Sequence, residues 1–117
     1  MATIHLTKGG FVRRVADIVT SPDNWKFLGN KPALIDFYAS WCGPCKALSP
    51  ILEELSDDFA GKVDIYKVNV DDEQELAHFF GIRSIPTLIF IDSSGEMTRT
   101  MGLKSKAELY KLLDNLK

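Results

Sequence analysis

Cysteine is scarce in this chain, with 2 in 117 residues. No network of disulfides can hold the fold together, so an apolar core must do it. Histidine is equally rare, at 2. Neither His5 nor His78 stands at ligand spacing from the cysteines, and a structural zinc site needs four ligands, so no metal and no bound cofactor is expected. An excess of one charge is lacking too. Lys and Arg number 14 against 16 Asp and Glu, a net charge of -2, which leaves no basic footprint for nucleic acid. No apolar run approaches the length that spans a bilayer, so no membrane partner is expected. The start, Met1-Ala2-Thr3-Ile4-His5-Leu6-Thr7-Lys8, has no signal-peptide core. That favours a cytoplasmic location, with the mature form of an exported protein as the other reading. There are no internal repeats. The length suits a single domain over residues 1–117 that buries roughly two thirds of its unfolded surface.

Both cysteines fall in Trp41-Cys42-Gly43-Pro44-Cys45-Lys46. Two thiols three positions apart can close into a small ring and open again. So short a loop gains little from chain entropy, so the pair is poorly placed to staple a fold and well placed to carry electrons. The bland reading is an inert buried pair. The surroundings favour the redox one. Ala33-Leu34-Ile35-Asp36-Phe37-Tyr38-Ala39 reads as a strand covered on both faces. Leu48, Ile51, Leu52, Leu55 and Phe59 follow at the spacing of one helix face. The cysteines therefore sit where a strand passes into a helix, and a helix start offers unpaired N–H groups and partial positive charge. A thiolate there is stabilised. This geometry makes Cys42 the exposed nucleophile and Cys45, one turn in, the shielded resolving thiol. Gly43 allows close approach of a substrate backbone, and Pro44 suits a first helical turn. Trp41 could shield the nucleophile with an apolar face or be ordinary core.

Asp36 is a carboxylate inside an apolar strand, where burial should raise its pKa. It lies about 10 Å below the strand's end, beside the first turn of the helix that carries Cys45, so the two can approach through a water. Along the rest of the chain, Ile4 to Leu6 reads as a first strand. Phe11, Val12, Val15, Ile18 and Val19 predict a helix, stopped by Thr20 to Asn24, with another short turn from Trp25 to Leu28. The helix after the cysteines contains Pro50, which should kink it. Val63 to Val70 reads as a strand, Asp71 to Phe80 as a helix, and Pro86 to Ile91 as a strand. Asp92-Ser93-Ser94-Gly95 turns that strand into a hairpin with residues 96–101. Ser105 and Glu108 form a capping box before a last helix with Leu109, Leu112, Leu113 and Leu116 on one face. The order βαβαβ then ββα predicts an α/β fold with a central mixed sheet flanked by helices on both faces.

The chain resembles the thioredoxin family. The resemblance rests on Asp36-Phe37-Tyr38-Ala39-Ser40 with the Trp41–Cys45 motif, Lys46 and Pro50, Lys67-Val68-Asn69-Val70-Asp71, and Gly81-Ile82-Arg83-Ser84-Ile85-Pro86-Thr87. Gly95, Gly102 and Ser105-Lys106-Ala107-Glu108-Leu109 also fit. It implies the thioredoxin fold and a protein disulfide reductase working through the Cys42/Cys45 dithiol. It implies Asp36 as proton acceptor for Cys45, Lys67 as the lysine that pairs with Asp36, and a cis Ile85-Pro86 bond. Ile85, Pro86, Met101 and Gly102 become an apolar rim on which a substrate peptide lies as an added strand. The Gly-Pro dipeptide resembles reducing members. Implied partners are disulfide-containing client proteins and a thioredoxin reductase, with the chain acting as a monomer. Tyr38 departs from the tryptophan common at its position. The hairpin turn resembles that of membrane-tethered or exported relatives. Two alternatives follow. One is an exported thioredoxin-like exchange protein for specific partners, marked by a higher reduction potential. The other is a non-catalytic binding module, whose binding would survive replacement of both cysteines by serine.

Overall fold

A computed structural model describes residues 3–116. The elements run β1 (Ile4–His5), α1 (Lys8–Arg14), β2 (Ala33–Tyr38), α2 (Gly43–Asp58), β3 (Asp64–Asn69), α3 (Gln74–Phe79), β4 (Thr87–Ile91), β5 (Met97–Met101) and α4 (Lys106–Asp114). One sheet of five strands has the order β1-β3-β2-β4-β5. β1, β3 and β2 are parallel, while β4 is antiparallel to both β2 and β5. The continuous apolar run of β2 is explained by its central place, because both its faces are covered. Ala33, Ile35 and Phe37 join Phe11 and Val15 beside α1, and Leu76 and Phe80 from α3 and its end. Leu34 joins Leu48, Leu52 and Leu55 of α2, and Leu109 and Leu113 of α4. Each such Leu, Ile or Phe contributes about 1.5–3 kcal/mol when fully buried. Among the described residues no helix is long and apolar enough to cross a membrane.

Four local expectations are corrected. The first helix ends at Arg14, short of Ile18 and Val19. The N–H groups of both Val15 and Ala16 donate to the Phe11 carbonyl, and the Val15 carbonyl accepts from Leu28 N–H at 2.8 Å. Asp17 Oδ1 accepts from Val19 and Thr20 N–H, a side-chain turn that competes with the helix. Residues 25–28 form no helical turn. They are held by tertiary contacts instead. Trp25 packs near Phe11 and Phe80 and donates to the Gly95 carbonyl at 2.8 Å. Gly95 has φ +90°, and a Cβ there would come within 2.9 Å of Phe27 Cβ, so only glycine fits this turn. α3 begins at Gln74 rather than Asp71, because the Asn69 side chain takes Asp71 N–H at 2.9 Å and its carbonyl takes the N–H groups of Asp72 and Glu73. In α4, Leu109 and Leu113 are buried while Leu112 is 37% exposed. Leu112 falls at the edge of the stripe that Leu109, Leu113 and Leu116 define. Ser105 does cap α4, accepting from Glu108 N–H at 3.1 Å.

Candidate active site

β2 delivers the chain to α2 through a tight passage. Cys42 N–H donates to the Ala39 carbonyl at 3.3 Å, and the Cys42 carbonyl accepts from Lys46 N–H at 3.1 Å. Cys42 is the N-cap of α2 in extended conformation, with Pro44 in the first turn. Its sulfur stands where Ser, Thr, Asp or Asn usually stands and accepts from Cys45 N–H at 3.2 Å. That N–H is one of the helix's otherwise unpaired donors. It points at Cys42 Sγ together with the positive end of a 16-residue helix. Once the disulfide opens, negative charge on Cys42 has a donor already in place.

Cys42 and Cys45 are joined as a disulfide, with Cα atoms 5.2 Å apart. The expected contrast in exposure is corrected. In this oxidised form Cys42 is 6% exposed and Cys45 4%, because both pack with Ala39 against Tyr38, Val70 and Ile85. What separates the two is the cap position. Gly43 and Pro44 are exposed beside them, and a Cβ at Gly43 would meet nothing within 4 Å.

Ile85, Pro86, Met101 and Gly102 are brought together at the end of the sheet. Cys42 Sγ lies 3.8 Å from the Ile85 carbonyl oxygen, and the Ile85-Pro86 bond is cis. Thr87 pairs with Met101, and Gly102 N–H donates to the Pro86 carbonyl at 2.9 Å. Gly102 makes that bond at φ +87°. Met101 is exposed. Trp41 is not core: it is 68% exposed, with its indole N–H donating to Asp71 Oδ2 at 2.9 Å. Asp71 thus tethers the ring that precedes Cys42, a role sequence reading missed.

On β2, the strand that leads to the cysteines, lies a buried carboxyl. Asp36 is fully buried, and neither oxygen has a hydrogen-bond partner. Burial pushes its pKa up to about 7, with the positive charge of Lys67 pulling the other way. A carboxyl poised near neutrality can take and return a proton under physiological conditions. Lys67 stands opposite Asp36 on β3 and is 7% exposed, so it is no solvated strand lysine. It also makes no contact ion pair with Asp36. Its ammonium donates to Ser49 Oγ at 2.9 Å and lies 4.6 Å from the Tyr38 ring centroid. Ser49 was not singled out in the sequence, although it stands one helical turn after Cys45. A cavity of about 110 Å³, lined by Cys45, Ser49, Lys67 and Tyr38 among others, joins these groups. His5 stands near Tyr38, and His78 lies outside this site, on α3. Among the described residues no cluster of His, Cys, Asp and Glu could hold a metal ion.

The chain can be set beside known proteins. The thioredoxin family model matches residues 5–115. Thioredoxin of Borreliella burgdorferi is 46% identical over 99 residues, covering 85% of this chain and 84% of that protein. Thioredoxin of Mycobacterium bovis is 38% identical over 115 residues, covering 98% and 90%. The bifunctional thioredoxin reductase/thioredoxin of Mycobacterium leprae is 37% identical over 97% of this chain and 22% of its own length. The crystal structure of chloroplastic thioredoxin z superposes with a TM-score of 0.77, covering 97% of this chain and 93% of that one. At 22% identity that likeness speaks for the fold alone.

Proposed function

The chain belongs to the thioredoxin family, and from that premise we infer a protein disulfide reductase that passes two electrons from the Cys42/Cys45 dithiol to a client. The observation that carries the reading is Cys42 Sγ at the N-cap of α2, accepting from Cys45 N–H. The Cys42 thiolate attacks one sulfur of a client disulfide. The client S–S bond breaks, its second sulfur leaves as a thiolate and takes a proton from water, and a mixed disulfide remains. Cys45 then gives its proton to the Asp36 carboxylate, directly or through water, and attacks Cys42 Sγ. The mixed disulfide breaks, the client leaves fully reduced, and the Cys42–Cys45 disulfide forms. Asp36 is suited to this because burial puts its pKa near 7. A client segment docks in extended form along Ile85, Pro86, Met101 and Gly102, over the open space at Gly43 and beside Pro44 and the exposed ring of Trp41.

The oxidised protein is reset by a thioredoxin reductase. The name of the M. leprae relative, which couples the two activities in one chain, supports that partner. The protein acts as a single-domain monomer in the cytoplasm, with no bound cofactor, nucleic acid or membrane required. Nothing at the site favours the exported, partner-specific alternative.

Reduction of an accessible protein disulfide by dithiothreitol tests the reading. The wild type should accelerate it, and Cys42→Ser should fall to the rate with dithiothreitol alone. Cys45→Ser should accumulate mixed disulfides with clients, since attack survives and resolution does not. Adducts on Cys42→Ser and none on Cys45→Ser would reverse the two roles.

A further inference from the structure

The ammonium of Lys67 has a choice of partners, and the fold makes it. Directly across the strands is Asp36, a carboxyl with no hydrogen bond. The ammonium goes elsewhere. Both of its anchors lie towards the cysteine end of the sheet. Tyr38 is two residues beyond Asp36 on the same face of β2, and its ring sits 4.6 Å from Lys67 Nζ, within range of attraction by the ring face. Ser49 is one turn beyond Cys45 on α2 and takes a hydrogen bond of 2.9 Å. The cavity that these groups share is also lined by Cys45. Tyr38 is itself braced, with its hydroxyl 3.4 Å from His5 Nδ1 and the two rings edge-on.

We propose that Tyr38 is a positioning residue: its ring face, together with the Ser49 hydroxyl, holds the Lys67 ammonium on the Cys45 side of the sheet and away from contact with Asp36. Two consequences follow for the resolving step. The ammonium borders the cavity that Cys45 also lines, and its positive charge favours the thiolate that must form there. The Asp36 carboxylate, left without a contact partner, stays basic enough to receive the Cys45 proton. A lysine free to swing onto Asp36 would weaken both effects. The groups that bear on Asp36 across the sheet are Lys67 on β3 and the apolar Leu88 on β4, with His5 paired to Lys67 on the outer strand β1. Lys67 is thus the one cation at a position paired with Asp36.

The consequence for catalysis rests on the reductase reading, but the clamp is measured without it. The Asp36 carboxyl carbon is titrated by NMR in the oxidised protein. Tyr38→Leu frees the ammonium, and a cation brought into contact lowers a carboxyl by about one unit or more, so the midpoint should fall by about that much. Tyr38→Phe keeps the ring and should keep the parent midpoint. Ser49→Ala removes the second anchor and should give a smaller fall. In a Lys67→Met background, Tyr38→Leu should produce no fall, which separates movement of the lysine from mere entry of water. In the reductase assay the pH at half-maximal resolution should move down with the midpoint. An unchanged midpoint in Tyr38→Leu, or an equal fall with Lys67 replaced, overturns the proposal. If Tyr38→Leu does not fold, an unchanged midpoint in Ser49→Ala overturns it instead.

Discussion

Cys42 Sγ and the Asp36 carboxyl are both buried and both polar, yet the fold serves them in opposite ways. The sulfur is given a donor: Cys45 N–H at 3.2 Å, backed by the start of α2. The carboxyl is given none. A group supplied with donors is held in its charged form, and a group denied them is pushed towards its neutral form. The contrast divides the chemistry. In the reading proposed above, the position that carries negative charge to attack a client is the one with the N–H, and the position that picks up a proton is the one whose charge has no support. A polar group stripped of partners costs stability, and in that reading the cost coincides with the place where proton transfer requires a basic carboxyl.

The most severe way to break this contrast is Asp36→Asn. The folded carboxyl has its pKa near 7, whereas an exposed aspartate loses its proton near 3.9. Between those values the unfolded chain binds fewer protons than the folded one, so stability falls as pH rises through that window and levels off above it. The decline attributable to this group is about 4 kcal/mol, from three units at about 1.4 kcal/mol each. Asparagine does not titrate. The variant should match the parent near pH 3 and exceed its stability by up to about 4 kcal/mol at pH 8, read by denaturant unfolding of the oxidised forms across pH. Client reduction should slow near neutrality and recover at higher pH, where Cys45 loses its proton unaided. A stability difference that is flat from pH 4 to 8 would mean that Asp36 does not titrate in this window.

How far this was legible in the sequence depended on whether the signal was local. The cysteine pair, the strand before it and the helix after it follow from spacing along the chain. Asp36 could be singled out because it interrupts an apolar run. The partners of Lys67 could not, since Tyr38 and Ser49 reach it only once β2, β3 and α2 are stacked in register. The same limit explains the early end of α1 and the extended course of residues 25–28. Both obey contacts with Val15, Leu28 and Gly95 that outweigh local helical spacing. Cys42 was expected to be exposed because a helix start usually is. Its burial comes from Val70 and Ile85, which arrive from the turn after β3 and the loop before β4.

Lys67→Met should sharpen the contrast with a smaller effect. The Lys67 charge draws the Asp36 pKa down against burial, so its removal should raise the carboxyl midpoint above that of the parent. The carboxylate would then be a stronger base but less often available at neutral pH. The decline of stability should extend to higher pH, because the folded pKa marks where it ends. Carbon NMR of Asp36 and unfolding at pH 7 to 9 would both report it. A midpoint that stays or falls would mean that the lysine does not act on the carboxyl through its charge.

The smallest effect compares two helix starts that share one geometry. Cys42 caps α2 from Sγ to Cys45 N–H at 3.2 Å, and Ser105 caps α4 from Oγ to Glu108 N–H at 3.1 Å. In both, the side chain of the N-cap satisfies the third N–H of the helix. Only the first carries chemistry, so the two positions should separate cap from nucleophile. Ser105→Ala removes the cap and the hydroxyl's bond to Glu108 Oε1, and should cost about 1 kcal/mol of stability with turnover unchanged. Cys42→Ser leaves an oxygen able to cap α2, so in the reduced state its stability should stay within about 1 kcal/mol of the parent while turnover disappears. Unfolding under reducing conditions gives the first quantity and client reduction the second. If Cys42→Ser destabilised the reduced protein by several kcal/mol, the loss of turnover could be put down to a damaged helix start. If the helix start holds and turnover is gone, what the sulfur brings to that position is nucleophilicity.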